Sequence, residues 1–204
     1  MRRSNMWHRM IISAAILLIA VSAASADTIL SVQPFGQSVM LGSQALVDLN
    51  IAGLGDPPSL GTFDININFD PTILSFNNFL FGDLALGDQL DPTGGANTIN
   101  FINPGFGTVE MFEISLDSAT TLNSLQASSF TLGVLTFDTI GGGTSSLDVT
   151  INALGDADGN ALSESVQNGG VSVSAVPEPS TIYLSCAALF AMVILRHLRR
   201  FSGR

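Results

Sequence analysis

The sequence predicts an all-β domain made of two antiparallel sheets packed face to face, and three observations carry that expectation. Between Phe63 and Asp70 apolar and polar residues alternate strictly: Phe63, Ile65, Ile67 and Phe69 fall on one side of an extended chain, Asp64, Asn66, Asn68 and Asp70 on the other. Further alternating runs follow at Val47 to Ile51 and Leu147 to Ile151, separated by segments rich in glycine, proline and aspartate. No window between them sustains helical spacing over several turns. Five or more strands with one wet and one buried face, joined by long loops, fit a two-sheet sandwich.

The elements follow in chain order. From Thr28 the chain reads as short strands. Val47, Leu49 and Ile51 alternate with Asp48 and Asn50, and Gly53 to Gly61, with Pro57-Pro58, reads as a loop. At Asp70-Pro71 the central strand must stop, because proline has no amide hydrogen and holds the residue before it in extended geometry. Ile73, Leu74 and Phe76 return to the core, and Phe79, Leu80, Phe81 and Leu84 form an apolar patch around Gly82-Asp83 that is expected to be buried. Asp91 to Asn97 reads as a polar turn, and Ile99 with Phe101 starts the next strand. Between Thr108 and Asp117 the apolar parity changes, from Val109 and Met111 to Phe112, Ile114 and Leu116, so a β-bulge is expected near Met111-Phe112. Leu122 to Phe130 is a helical or irregular insert. Phe130 to Ile140 is apolar on both parities near Leu135, as in a strand inside a sheet. Gly141-Gly142-Gly143 then turns the chain into Leu147, Val149 and Ile151, and Val171 with Val173 forms the last strand.

Several of these segments resemble the cohesin family. The aromatic-Asp-Pro step at Phe69-Asp70-Pro71, followed by Ile73-Leu74-Ser75-Phe76, is similar to the end of the central cohesin strand. Leu41-Gly42-Ser43, the turn at Gly82-Asp83, and Leu132, Leu135 and Phe137 also resemble cohesin segments at matched spacing, across roughly Leu30 to Val173. The resemblance implies a cohesin-like jelly roll, related to carbohydrate-binding modules, that holds a dockerin-like secreted protein or a polysaccharide. Unlike scaffold proteins, the chain has one such unit, no repeats and no attached dockerin.

Charge narrows the chemistry. Arg2, Arg3 and Arg9 lie at one end and Arg196, Arg199, Arg200 and Arg204 at the other, while all 17 acids lie between Asp27 and Glu178 with no base among them. Such a surface repels nucleic acid and attracts divalent cations and basic partners. His8, His197 and Cys186 are also terminal. The domain therefore has no side chains for a Ser-His-Asp triad, a thiol nucleophile, a Schiff base or a histidine-bearing zinc site. No catalytic residue is nominated, and the expectation is a protein that is not an enzyme. A carboxylate-only glycoside hydrolase, which needs two acids about 5 to 10 Å apart in a cleft, and a purely structural matrix protein are the alternatives. Trp7 and Tyr183 lie outside the domain, which leaves only phenylalanines for stacking on sugars.

The two ends read as processing signals. Residues 1–26 combine early arginines, an apolar run from Met10 to Val21 and Ala24-Ser25-Ala26, a signal peptide cleaved between Ala26 and Asp27. Residues 27–175 form the domain. In residues 176–204, Pro177, Glu178 and Pro179 precede an apolar run from Ile182 to Leu195 and then Arg196, Arg199 and Arg200. This tail resembles the PEP-CTERM sorting signal, which implies a transmembrane segment recognised by an exosortase. It also implies export across the inner membrane of a Gram-negative bacterium, transient anchoring, then release to the cell surface or a biofilm matrix. Signal peptidase and exosortase are the partners during export. No cofactor is required by any of this. Calcium is the one candidate ion, at Asp156, Asp158 and Asn160, where oxygen-bearing side chains recur every second residue. A hairpin turn at Asp158-Gly159 explains the same residues without metal.

Overall fold

The alternation that dominates the sequence becomes the central strand of the larger sheet. In β4 (Leu60–Asn68) the inward residues Phe63, Ile65 and Ile67 are fully buried, while Asp64, Asn66 and Asn68 stay partly exposed on the opposite face. The computed structural model describes residues 27–55 and 57–175, with Ser185, Leu189, Phe190 and Met192 of the tail, which are helical and exposed. The segment 1–26 expected to be a signal peptide, with Ala26, and the motif Pro177, Glu178 and Pro179 lie outside the described residues. Among the described residues no helix is long and apolar enough to cross a membrane.

The remaining elements are β1 (Thr28–Gln33), β2 (Gln37–Met40), β3 (Gln44–Ala52), β5 (Leu74–Phe81), β6 (Thr98–Gly105), β7 (Thr108–Ser115), α1 (Ala119–Leu125), β8 (Ser129–Thr139), β9 (Gly143–Asp156), β10 (Glu164–Gln167) and β11 (Gly169–Ser174). They form a five-stranded sheet in the order β10-β1-β3-β8-β5 and a six-stranded sheet in the order β2-β11-β9-β4-β7-β6. Between the sheets, Phe69 meets Phe137 edge-on at 5.1 Å, and Phe63, Phe79 and Phe81 form a second aromatic group. The expected sandwich is present.

Its sheets are mixed rather than wholly antiparallel. β10 runs parallel to β1 in one sheet and β11 parallel to β2 in the other. The N-terminal segment changes sheet between β1 and β2, and the C-terminal segment changes sheet beside it between β10 and β11. Parallel neighbours need a long crossover, and here nearly the whole domain supplies it. Alternation is the same in both strand directions, so the sequence pattern is silent on this point.

The bulge expected in β7 is absent. The β4–β7 ladder pairs without a shift from Thr62 opposite Ile114 to Asn68 opposite Thr108. Val109, Met111 and Glu113 all point inward, and Phe112 and Ile114 point out. The apparent change of parity came from apolar residues on the outer face. Register shifts occur elsewhere, at Leu49/Asn50 in the β3–β8 ladder, at Phe76/Asn78 in the β5–β8 ladder and twice between β4 and β9. The Phe79 to Leu84 patch is only partly buried: Phe79 is inside and Phe81 packs against the core, whereas Leu80 and Leu84 face solvent. Strand alternation sends Leu80 outward, and Leu84 sits in the tight turn closed by the Asp83–Gly87 bridge.

The insert is a short helix that begins earlier than its apolar spacing suggests. Ser118 caps α1 by accepting the Thr121 amide at 3.2 Å, and Leu122 is its buried residue. Its polar side chains fasten it to the start of β4. Asn123 accepts from the Ser59 hydroxyl at 2.7 Å, and the Gln126 carboxamide both accepts from the Leu60 amide at 2.6 Å and donates to the Leu60 carbonyl at 2.9 Å.

At its other end β4 is stopped by its own sequence. The Asp70 carboxylate accepts the amide and hydroxyl of Thr72, and the Asp70 amide donates to the buried Ser145 hydroxyl at 2.8 Å. Removing that buried acceptor strands the amide, which costs about 1–3 kcal/mol. Ser145→Ala is therefore expected to shift the urea midpoint down by that amount at unchanged slope. The exposed neighbour Ser146→Ala serves as the silent control.

Candidate functional site

The outer face of the six-stranded sheet is built as successive rungs across β6, β7, β4 and β9. Registration places Ile99 opposite Ile114 and Ile114 opposite Thr62, then Phe101 opposite Phe112 and Phe112 opposite Asp64. The next rung sets Asn103 beside Glu110, Asn66 and Thr150. Phe101 and Phe112 stack at 5.0 Å with an interplanar angle of 20°, and Ile99 is 55% and Phe101 45% exposed. A contiguous apolar and aromatic patch thus covers the β6–β7 half of this face, where an antiparallel sheet facing water would carry polar residues.

The β4–β9 half is polar and internally satisfied. The Asn152 amide donates to Asp64 at 2.9 Å, the Asn66 amide donates to the Asn152 oxygen at 3.3 Å, and the Asn68 amide reaches the Thr150 hydroxyl at 3.2 Å. Asn103 donates to Glu110 at 3.0 Å along the adjoining rung. These links hold the Asn, Asp and Thr side chains of this face in defined positions.

A second feature lies at the β2 edge of the same sheet. Phe35, Ser38, Thr144, Ser146, Asn168 and Ser172 border an open groove of about 610 Å³ whose lining is uncharged. Thr144 and Ser172 are hydrogen-bonded to each other at 2.9 Å.

The nominated cation residues form a turn. The Asp156 carboxylate accepts the amides of Asp158 and Asn160 at 2.9 and 2.7 Å and the Asn160 side-chain amide at 3.1 Å, while Gly159 takes φ +84°. Burial raises the Asp156 pKa, but the hydrogen bonds from the Asn160 side chain, then from the Asn160, Asp158 and Gly159 backbone, outweigh it and hold it below the ordinary value. Among the described residues no three His, Cys, Asp or Glu side chains gather as a metal cluster.

One titratable group escaped the sequence reading. Glu113 is 1% exposed, faces inward from β7 and is pushed up to about 8 by burial and by the Asp88 charge. The strict parity of Val109, Met111 and Glu113 carried the signal, and the expected bulge hid it. The Glu113 carboxyl is sealed from solvent while the facing Asp88 is half-exposed, and among the described residues no open cleft is placed between them for a glycoside substrate.

The sequence matches no family profile and no characterised relative. The fold is similar to those of solved cohesins. The sixth cohesin of Acetivibrio cellulolyticus scaffoldin B, solved with the Cel5 dockerin, is 20% identical with a TM-score of 0.56, over 72% of this chain and 99% of that one. A non-cellulosomal cohesin from the archaeon Archaeoglobus fulgidus is 16% identical with a TM-score of 0.54, over 78% and 97%. A type I cohesin–dockerin complex from Clostridium thermocellum gives 12% identity and a TM-score of 0.57, over 72% and 99%. At these identities the likeness is one of fold, and the domain is cohesin-like.

The hydrogen bonds at Asp156 account for the order of that loop without an ion. Melting curves of the full chain in EGTA and in millimolar calcium are expected to superimpose. A calcium-dependent rise that is lost in the Asp156→Ala, Asp158→Ala variant would establish a metal there instead.

Proposed function

We propose that the chain is an exported, non-catalytic binding protein whose domain holds a secreted, dockerin-like protein partner on the outer face of the six-stranded sheet. The observation that carries this is the outward patch of exposed Ile99 and Phe101 with half-buried Phe112 and Ile114 beside a pre-ordered amide ladder. Aromatic anchors rimmed by satisfied polar groups are the usual composition of protein-recognition surfaces. Fold likeness to cohesins solved with dockerins supports the same reading. The absence of any base between Asp27 and Glu178 favours a partner with a basic rim.

A second reading, polysaccharide binding, is favoured by the groove beside Phe35, whose hydroxyls, amides and single aromatic ring suit a neutral sugar. Export rests on the two ends. Residues 1–26 have the pattern of a cleaved signal peptide, and Pro177, Glu178 and Pro179 with the apolar run and terminal arginines have that of an exosortase tail. The resulting location is the cell surface or exopolysaccharide matrix of a Gram-negative host.

Two measurements test these proposals. In pull-downs from the secreted fraction of the host, Phe101→Ala with Phe112→Ala is expected to reduce partner capture at least about tenfold, in line with loss of two aromatic anchors. Leu46→Ala with Leu80→Ala, on the outer face of the other sheet, is expected to leave capture unchanged. Equal capture by both variants removes the recognition face. Intact-mass analysis of the exported protein is expected to show a start at Asp27 and loss of Phe201 to Arg204. Retention of those last residues would identify a permanent anchor.

A further inference from the structure

The segment from Gly82 to Asn97 crosses one end of the sandwich as a strap, and most of its polar groups are tied down. The Gly82 amide donates to the Leu132 carbonyl at 2.8 Å, and the Asp83 carboxylate accepts the amides of Ala85, Leu86 and Thr131. Asp88 accepts the Leu90 amide at 2.9 Å, Leu90 is buried, and the Ser115 hydroxyl of β7 donates to the Leu90 carbonyl. Gln126 donates to the Gln89 carbonyl at 2.9 Å, and the Leu116 amide donates to the Asn97 carbonyl at 2.7 Å.

Glu113 breaks this pattern. Its backbone carbonyl accepts the Thr62 hydroxyl and its Oε1 accepts the Asn100 side-chain amide at 3.1 Å, but its buried Oε2 has no donor among the described residues. Asp88, on the strap, is the charged side chain that faces it. From β6, Asn100 and Thr98 face it as hydrogen-bond donors, and from β4 Phe63 pairs with it in register. No Lys, Arg or His exists between Asp27 and Glu178 to neutralise the pair. Two carboxyls in this setting need either a proton or a cation between them. Asn100 donates to Glu113, and among the described residues no three His, Cys, Asp or Glu side chains gather there as a metal site, so a proton is the simpler partner for the pair.

We propose that Glu113 keeps its proton in the folded domain and directs it at Asp88, and that this contact is a pH-sensitive latch holding the strap against β7. Loss of the proton leaves a buried charge on Glu113 facing the like charge of half-exposed Asp88, so the strap is released as the medium becomes alkaline.

The sign follows from proton linkage. Glu113 binds its proton more tightly folded, with a pKa of about 8, than unfolded, near 4.5. The latch's contribution is complete below about 4.5, is lost as pH rises toward 8, and is constant above. The strap and loop carboxylates Asp83, Asp91 and Asp156 act oppositely. Their pKa values lie below 3.8, so their contributions are lost only as pH falls below that value, in a separate window.

The test is the melting temperature of the full chain in detergent between pH 5 and 9.5, for wild type, Glu113→Gln and Asp88→Asn. Wild type is expected to fall by roughly 5 °C or more between pH 5 and 8 and then level. Glu113→Gln is expected to stay flat over that interval, and Asp88→Asn to show a smaller fall. A flat wild-type profile, or the same slope in Glu113→Gln, overturns the latch. So does a calcium-induced rise at pH 8 that Glu113→Gln abolishes, since the pair would then hold a cation. Should the variants fail to fold, carboxyl carbon NMR of the wild type decides alone: a glutamate midpoint above 6 supports the retained proton, and midpoints all below 6 reject it.

Discussion

A domain without a single lysine, arginine or histidine has no ion pair to offer its carboxylates, and several of its loops are built on hydrogen bonds to them instead. Asp70 takes the Thr72 amide and hydroxyl, Asp83 the amides of Ala85, Leu86 and Thr131, Asp91 those of Gly95 and Ala96, and Asp156 those of Asp158 and Asn160. On the surface of the smaller sheet Asp138 is held between Gln44 and Asn77. Bonds to an ionised acceptor are shorter and roughly twice as strong as neutral ones, so each acid fixes the turn around it. Glu113 differs from these, because its buried inward position sets a facing acid, Asp88, against its carboxyl.

The same economy shapes the sandwich. The core is made of aliphatic residues and a few phenylalanines, and the central strand β4 is locked at both ends by side chains from distant segments, Asn123 and Gln126 at one and Ser145 at the other. The first and last strands change sheets side by side, so both sheets are joined through the paired ends of the domain.

Apolar residues on the outer face of β6 and β7 serve neither core nor acids. Ile99, Phe101, Phe112 and Ile114 leave hydrophobic surface in water beside an ordered amide ladder, and that departure from a solvated sheet face is the basis for reading it as a recognition surface. The strap latch lies on the inner side of the same two strands, where Glu113 pairs with Asn100.

The alternating strands, the buried parity of β4, β3 and β9 and the stop at Asp70-Pro71 were legible in the sequence, because a period of two and a missing amide hydrogen act within a few residues, whereas the short β10 carries no such pattern. The helical insert was visible in part, through Leu122. Strand direction was not, since alternation reads alike for parallel and antiparallel neighbours. The side of the sheet that Phe112 and Ile114 occupy was misread as a bulge, since an outward hydrophobe and an inward glutamate each contradict local propensity and only the unbroken ladder with β4 overrules them. The meeting of Asp88 with Glu113, and of Phe101 with Phe112, was decided by tertiary pairing, because the energy of a contact depends on distance in space and the sequence records only distance along the chain.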